Sequence, residues 1–265
     1  MAAITGHTRL YAILGDPILQ VRTPELFNAL MAGRGADAVM VPMHVPAPML
    51  ASAVGVLRGV ANLGGFIATV PHKSAMLGLC DAASDRARAV GAANAFRRTP
   101  DGRIEGEMLD GVGFVRGLQR EGVEPEGREV FLAGAGGAAK AIAFALAEAG
   151  VRALRIWNRT PDKALEIAER LRRAGHGLPV TVATSDPSGC DLVVNATSLG
   201  LRADDALPLG AERLTPGQIV AEVIMKPSVT PLLAAAQARG CRICPGAPML
   251  DCQIELMADF MGAPR

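Results

Sequence analysis

The run "VFLAGAGGAAKAIAFALAEAG", Val130 to Gly150, constrains the fold of this 265-residue chain more than any other stretch. An apolar strand pattern, "EVFLAG" (129–134), leads directly into a helical one, "AAKAIAFALAEAG" (138–150), which ends in glycine. Between them Gly134, Gly136 and Ala139 give the spacing G-x-G-x-x-A, with Gly137 beside the second glycine. The first glycine permits a tight turn, the second lets the backbone approach a pyrophosphate, and the small last residue lets helix and strand pack closely. The helix start adds unpaired N–H groups and the positive end of the helix dipole. The pattern predicts a dinucleotide site lined by Gly134, Ala135, Gly136, Gly137 and Ala138. The plainer alternative is an Ala/Gly-rich turn between two packed elements.

The next strand and turn, "LRIWNRTPDKA" (154–164), indicate which dinucleotide. An NAD site usually carries Asp or Glu at the end of that strand, bound to the ribose hydroxyls. Here the position is Asn158, followed by Arg159 and Thr160, with Lys163 one turn later. An acid there would repel a 2′-phosphate. Arg159 offers forked donors to one, Thr160 a hydroxyl and Lys163 a point charge. The expected cofactor is therefore NADP. The competing reading makes Arg159 a solvated surface charge and Thr160 a helix cap.

Apolar runs alternate with helical patterns along the whole chain, which predicts an α/β protein with parallel sheets. Strands are expected at 9–15, 38–45 and 64–71, and helices at 24–35 and 49–60, with a loop and helix filling 73–90. A second series begins near Asp110. It has strands at 129–134, around 153–158, 191–197, 218–225 and 241–246, and helices near 111–122, at 138–150 and at 162–175. The last helix, 248–262, has no obvious place in the second series and is expected to return to the first.

Half of the residues are hydrophobic, enough for a sizeable core. A formal charge of +1 and 3% aromatics leave no electrostatic footprint for nucleic acid. The longest uncharged run, Ala38 to Leu57, contains Pro42, His44, Pro46 and Pro48, which would interrupt a spanning helix. No membrane partner is expected, and the first residues lack the order of a signal peptide. Five cysteines point to reduced thiols in a cytoplasm. Cys241 and Cys244 form a lone C-x-x-C with no second pair, and no metal is expected.

A nicotinamide enzyme needs a group that gives or takes the alcohol proton. "TVPHK" places Lys73 just beyond a strand end, and "EMLDGVG" places Asp110 at the junction of the two series. Such a pair facing one cleft would serve acid–base chemistry. On position alone, a strand-end lysine such as Lys73 is more often just a solvated cation.

Taken in order, these segments resemble the shikimate dehydrogenase family along nearly the full length. "GDPILQVRTPELFN" is similar to its substrate loop, "TVPHK" to its T-V-P-x-K and "GAANA" to its G-A-V-N-T. "LDGVG" is similar to its N-T-D-G-x-G, and "GAGGAA" with "NRT" to its NADP signatures. "NATSLGL", "KPSVTPLL" and "PMLDCQIELMADF" resemble its later blocks. The resemblance implies a two-domain α/β fold with a cleft between the domains. Residues 1–109 and 245–265 would form the substrate domain, and 110–244 the NADP-binding Rossmann domain. It implies reversible NADPH-dependent reduction of 3-dehydroshikimate to shikimate. Lys73 would exchange the proton and Asp110 would orient it. Asn94 and Gln253 would bind ring hydroxyls, and Thr69 would lie near the substrate carboxylate. Thr197 and Ser198 would join the cofactor site.

Several positions depart from the family pattern, most of them from polar to apolar. The two serines that usually bind the carboxylate are Val21 and Thr23. Ile67, Met108 and Leu109 replace an Asn, an Asn and a Thr, while Met225 stands for the Tyr and Glu222 for the Asp of D-x-V-Y-x-P. One lost charge-assisted hydrogen bond costs about 1.5–3 kcal/mol, roughly ten- to a hundredfold in affinity. The expectation is a working dehydrogenase with an altered pocket, in which Arg22 is a candidate substitute for the lost carboxylate partner. Quinate or another shikimate-like acid is the alternative substrate. A non-catalytic NADP(H)-binding module is the alternative of another class. A monomer or a homodimer fits equally.

Overall fold

The computed structural model describes residues 3–202 and 204–265. Internal contacts divide the chain into two units. One holds the chain up to Leu109 together with Gln253–Arg265, and the other holds Asp110–Cys252.

The first unit begins with β1 (Arg9–Gly15), α1 (Thr23–Gly33), β2 (Ala38–His44), α2 (Leu50–Gly59) and β3 (Leu63–Ala68). Pro24 in the first turn of α1 leaves no helical hydrogen bond unmade, because a first-turn N–H has no partner in any case. The chain continues through α3 (Lys73–Leu77), β4 (Ala82–Ala83), α4 (Asp85–Val90), β5 (Ala95–Arg98) and β6 (Ile104–Glu107). The sheet order is β2-β1-β3-β5-β6-β4. β1 lies parallel to both β2 and β3, so the predicted β-α-β-α-β start is present.

The sheet is nevertheless mixed, since β5 runs antiparallel to both β3 and β6. β5 and β6 form a hairpin that the pattern of apolar runs did not reveal. Its strands are short and carry charges, with Arg97 directly opposite Glu105 and bonded to it at 3.0 Å. Its turn is "TPDGR", in which Gly102 takes φ +84° and donates to the Thr99 carbonyl at 2.9 Å. That P-D-G turn was the available signal. The core holds Tyr11 against Phe27 at 4.9 Å between ring centres, and Phe66 stacked on Phe96 at 5.0 Å.

The second unit contains α5 (Asp110–Arg120), β7 (Glu129–Ala133), α6 (Gly137–Glu148), β8 (Ala153–Trp157), α7 (Pro161–Arg173) and β9 (Val180–Val182). β10 (Leu192–Asn195), β11 (Ile219–Glu222), α8 (Pro231–Ala238) and β12 (Arg242–Cys244) follow. The order β12-β11-β10-β7-β8-β9 is wholly parallel. It is the doubly wound arrangement whose strand order reverses between β7 and β10, where such sheets open a crevice for ligands. Strands buried on both faces read as continuous apolar runs, and "EVFLA" and "LVVN" do so. Phe131, Val193, Val220, Leu232 and Leu233 form the core on one side. The thiols of Cys190, Cys241, Cys244 and Cys252 are all buried and unpaired.

The last helix, α9 (Ala247–Phe260), was expected to leave the second unit entirely. Its first turns instead group with that unit and its remainder with the first. Gly117 of α5 permits this, since a Cβ there would stand 2.8 Å from the Met249 nitrogen. Among the described residues no helix is long and apolar enough to cross a membrane.

Candidate functional site

At the carboxyl ends of β7, β8 and β10 a cavity of about 410 Å³ is lined by Gly134, Trp157, Asn158, Arg159 and Thr197–Leu199, with Leu207 and Pro208 opposite. It lies at the strand-order reversal of the sheet. Gly134 follows β7 with φ +117°, and a Cβ there would meet the Ala196 carbonyl oxygen at 2.9 Å. Only glycine allows the turn and the approach together. Ala135 is buried, whereas Gly136 and Gly137 are exposed and have nothing within 4 Å of where a Cβ would stand. The backbone at the start of α6 is therefore open to a ligand. Ala138 is half-buried, and Ala139 is wholly buried against the sheet, as the last position of the fingerprint requires. No side chain caps α6 and no acid stands in its first turn, so its N–H groups and dipole face outward uncompensated.

The Arg159 side chain is exposed and makes no ion pair among the described residues, as is true of Lys163. Thr160 occupies the N-cap position of α7, yet its side chain makes no capping bond. Asn158 donates to the Thr160 carbonyl at 2.8 Å and thereby shapes the turn. Trp157 donates from its indole nitrogen to the Pro208 carbonyl at 3.0 Å, joining the two walls of the cavity. A phosphate-bearing nucleotide fits these donors: open glycines at a helix start, a guanidinium without an ion pair, and no acid among the described residues that line the cavity.

The far wall rests on a polar network that the sequence reading missed. Asn195 ends β10 and pairs in register with Glu222, which ends β11. Asn195 Nδ2 donates to Glu222 Oε1 at 2.7 Å and to the Leu199 carbonyl at 3.1 Å. Asn195 Oδ1 accepts from the Thr197 N–H at 3.0 Å and from its hydroxyl at 2.7 Å. Thr230 donates to Glu222 Oε2 at 2.6 Å and caps α8 by accepting from the Leu233 N–H at 3.2 Å. Burial pushes the Glu222 carboxyl above the ordinary range, against the pull of these two donors. The available signal was a single acid inside the apolar run "IVAEVI".

α5 starts at Asp110, which is 3% exposed, and presses on α6 so closely that a Cβ on Gly111 would lie 2.0 Å from the Ala141 carbonyl. Met225 is half-buried in the loop after β11, beside the cis peptide Lys226–Pro227.

In the first unit the predicted residues lie on turns that end β1 and β3 or adjoin β5. Lys73 is half-buried at the first position of α3, and its carbonyl accepts from the Ala93 N–H at 3.0 Å. The preceding His72 is 1% exposed and donates from Nε2 to the Val45 carbonyl at 2.7 Å, anchoring the turn that carries Lys73. That anchoring role was also missed. Thr69 is bound through its N–H to the Leu14 carbonyl at 2.9 Å, and the Val70 carbonyl accepts from Asp16 at 3.0 Å. Asp16 in turn meets His44 Nε2 at 2.7 Å. Val21 and Thr23 are half-buried at the entry to α1. Arg22 between them lies 3.4 Å from Glu25. Asn94 is 1% exposed and accepts from the Leu109 N–H at 2.8 Å, and Gln253 is 8% exposed. Ile67, Met108 and Leu109 are all buried. Among the described residues no group of three His, Cys, Asp or Glu side chains is arranged to hold a metal ion.

Known proteins give a consistent comparison. Residues 13–96 match the model of the shikimate dehydrogenase substrate binding domain, and residues 118–200 match that of shikimate / quinate 5-dehydrogenase. The chain is 41% identical over 253 residues to a shikimate dehydrogenase (NADP(+)) of Rubrobacter xylanophilus, covering 93% of this chain and 88% of that one. Two solved structures are similar throughout. The ligand-free 5-ketofructose reductase of a Gluconobacter strain is 32% identical with a TM-score of 0.88, over 96% of this chain and 92% of its own. Shikimate 5-dehydrogenase of Thermus thermophilus, solved with NADP(H) and shikimate, is 31% identical with a TM-score of 0.87, over 97% and 95%.

Proposed function

The chain belongs to the shikimate dehydrogenase family, and from that premise we infer that it is an NADP-dependent oxidoreductase that interconverts 3-dehydroshikimate and shikimate. The observation that carries the reading is Arg159, without an ion-pair partner among the described residues, at the rim of a cavity that Gly134 also lines, where the exposed Gly136 and Gly137 follow Gly134 into the start of α6. A guanidinium with no ion pair among the described residues, beside a cavity whose described lining holds no acid, is complementary to a 2′-phosphate.

NADP, when bound, supplies or accepts the hydride. Gly134–Ala138 and the start of α6 hold its pyrophosphate, while Asn158, Arg159, Thr160 and Lys163 hold the phosphorylated ribose. Thr197 and Ser198 border the same cavity. Lys73 gives a proton to the reacting oxygen during reduction and takes it back during oxidation. Asp110 is the residue that orients this exchange. Asn94 and Gln253, both buried, bind ring hydroxyls. Thr23 and Thr69 offer hydroxyls to the substrate carboxylate, and Val21 and Met225 give the pocket its apolar character. The two units are the substrate-binding and NADP-binding domains of a cytoplasmic enzyme.

One observation favours a second substrate within the same chemistry. Val21 removes a hydroxyl from the expected carboxylate site, and the 5-ketofructose reductase neighbour is named for a ketosugar, which has no carboxylate. Initial rates with NADP(H) on shikimate, quinate and 5-ketofructose separate the readings. The highest kcat/KM is expected with shikimate. A higher value with either of the others would reassign the substrate while leaving the cofactor.

A further inference from the structure

Asn195 uses all of its hydrogen-bonding capacity. Its two amide protons go to Leu199 and Glu222, and its oxygen takes two bonds from Thr197. Turned end for end, the amide would set its oxygen against a carbonyl and a carboxylate and its protons against the Thr197 N–H. Glu222 favours the observed orientation, because its Oε1 is the acceptor that an amide proton of Asn195 meets at 2.7 Å. The consequence reaches the cavity. Thr197 spends its proton on Asn195 and one lone pair on the Leu199 N–H at 3.0 Å, so its hydroxyl meets a ligand as an acceptor. Gly200 closes the same loop at φ +112°, 3.2 Å from Ile224 Cδ1 by the position a Cβ would take.

We propose that Glu222 is a positioning residue for cofactor binding: through Asn195 it fixes the loop Asn195–Gly200, whose Thr197, Ser198 and Leu199 form one wall of the cavity. Glu222 does not itself line that cavity. The inference rests on the reading of the cavity as the NADP site. It explains why an acid is retained at 1% exposure between apolar neighbours, where a carboxylate is costly unless its donors are needed.

The test compares NADPH dissociation constants of the wild-type chain, Glu222→Met and Glu222→Gln by fluorescence titration, alongside KM for shikimate and the melting temperature. Met removes both acceptors at similar volume. Gln keeps a carbonyl for Asn195, and its amide can donate to the Thr230 oxygen. The expected result is NADPH binding weakened about tenfold or more in Glu222→Met, within about threefold of wild type in Glu222→Gln, and an unchanged KM for shikimate in both. A dissociation constant in Glu222→Met equal to wild type overturns the proposal and leaves the cofactor assignment standing. Wild-type protein that does not bind NADPH overturns both. Should Glu222→Met not fold, Thr230→Val removes one of the two groups holding the carboxylate. About threefold weaker binding is then expected, and an unchanged value overturns the proposal.

Discussion

Gly134 and Ala196 meet at the strand-order reversal of the second sheet, where a Cβ on Gly134 would stand 2.9 Å from the Ala196 carbonyl oxygen. The approach binds the turn after β7 to the turn after β10, two edges of the cavity proposed to hold the cofactor. Gly134→Ala must adopt φ near +117° and push that carbonyl away. We expect it to lose about 1–3 kcal/mol of stability and most of its affinity for NADPH. Urea unfolding and cofactor titration check both. An alanine variant with wild-type binding would place the phosphates elsewhere.

Arg159 is exposed and unpaired, so its removal should not unfold anything. Arg159→Ala is expected to raise KM for NADP⁺ about ten- to a hundredfold, the worth of one charge-assisted hydrogen bond. KM for NAD⁺ and the melting temperature should be nearly unchanged. Equal losses with the two cofactors would show that Arg159 does not contact the 2′-phosphate.

Asn28 has the opposite character. It falls in the segment that resembles the family's substrate loop, yet its side chain clamps the edge strand β2. The Met40 N–H donates to Asn28 Oδ1 at 2.7 Å, and Asn28 Nδ2 donates to the Met40 carbonyl at 3.1 Å. Asn28→Ala should cost about 1–3 kcal/mol, two ordinary hydrogen bonds, with kcat and both KM values within about twofold of wild type. A large rise in KM for shikimate at unchanged stability would make Asn28 a substrate ligand.

Glu222 also predicts a pH dependence. Its folded-state pKa lies above the value of an exposed glutamate, chiefly through burial and against the pull of Asn195 and Thr230. The stability it contributes is therefore complete below the unfolded pKa and declines as pH rises through the folded one. Gln has no such titration. The melting temperature of Glu222→Gln relative to wild type should rise as the pH is raised above about 4.5. A difference that stays flat or falls over that range would mean that Glu222 is not disfavoured as a carboxylate.

Most of the fold was legible because a wholly parallel sheet needs long apolar runs, and "EVFLA", "LVVN" and "IVAE" supplied them. The β5–β6 hairpin was not, because Arg97 and Glu105 pair across it and break the apolar alternation. α8 escaped for a similar reason: its eight residues, "PLLAAAQA", are too few to show a helical period. The turn after β7 was readable from glycine spacing, since the close backbone approach at Gly134 demands one residue type. The Asn195–Glu222–Thr230 network was not, because its members are far apart in sequence and meet only through the register of β10 and β11. His72 was hidden for a related reason, as its partner is a backbone carbonyl 27 positions away.

Oxidation of shikimate with NADP⁺ through Lys73 is the activity on which the proposed function stands. The most direct measurement is the initial rate of NADP⁺ reduction at millimolar shikimate, for the wild-type protein and for Lys73→Ala. A clear wild-type rate that falls by about 10²–10⁴ in the variant, the usual worth of a general acid–base group, with NADPH affinity unchanged, is the predicted result. A wild-type protein that binds NADPH but gives no rate with shikimate, or a Lys73→Ala variant as fast as wild type, would contradict it.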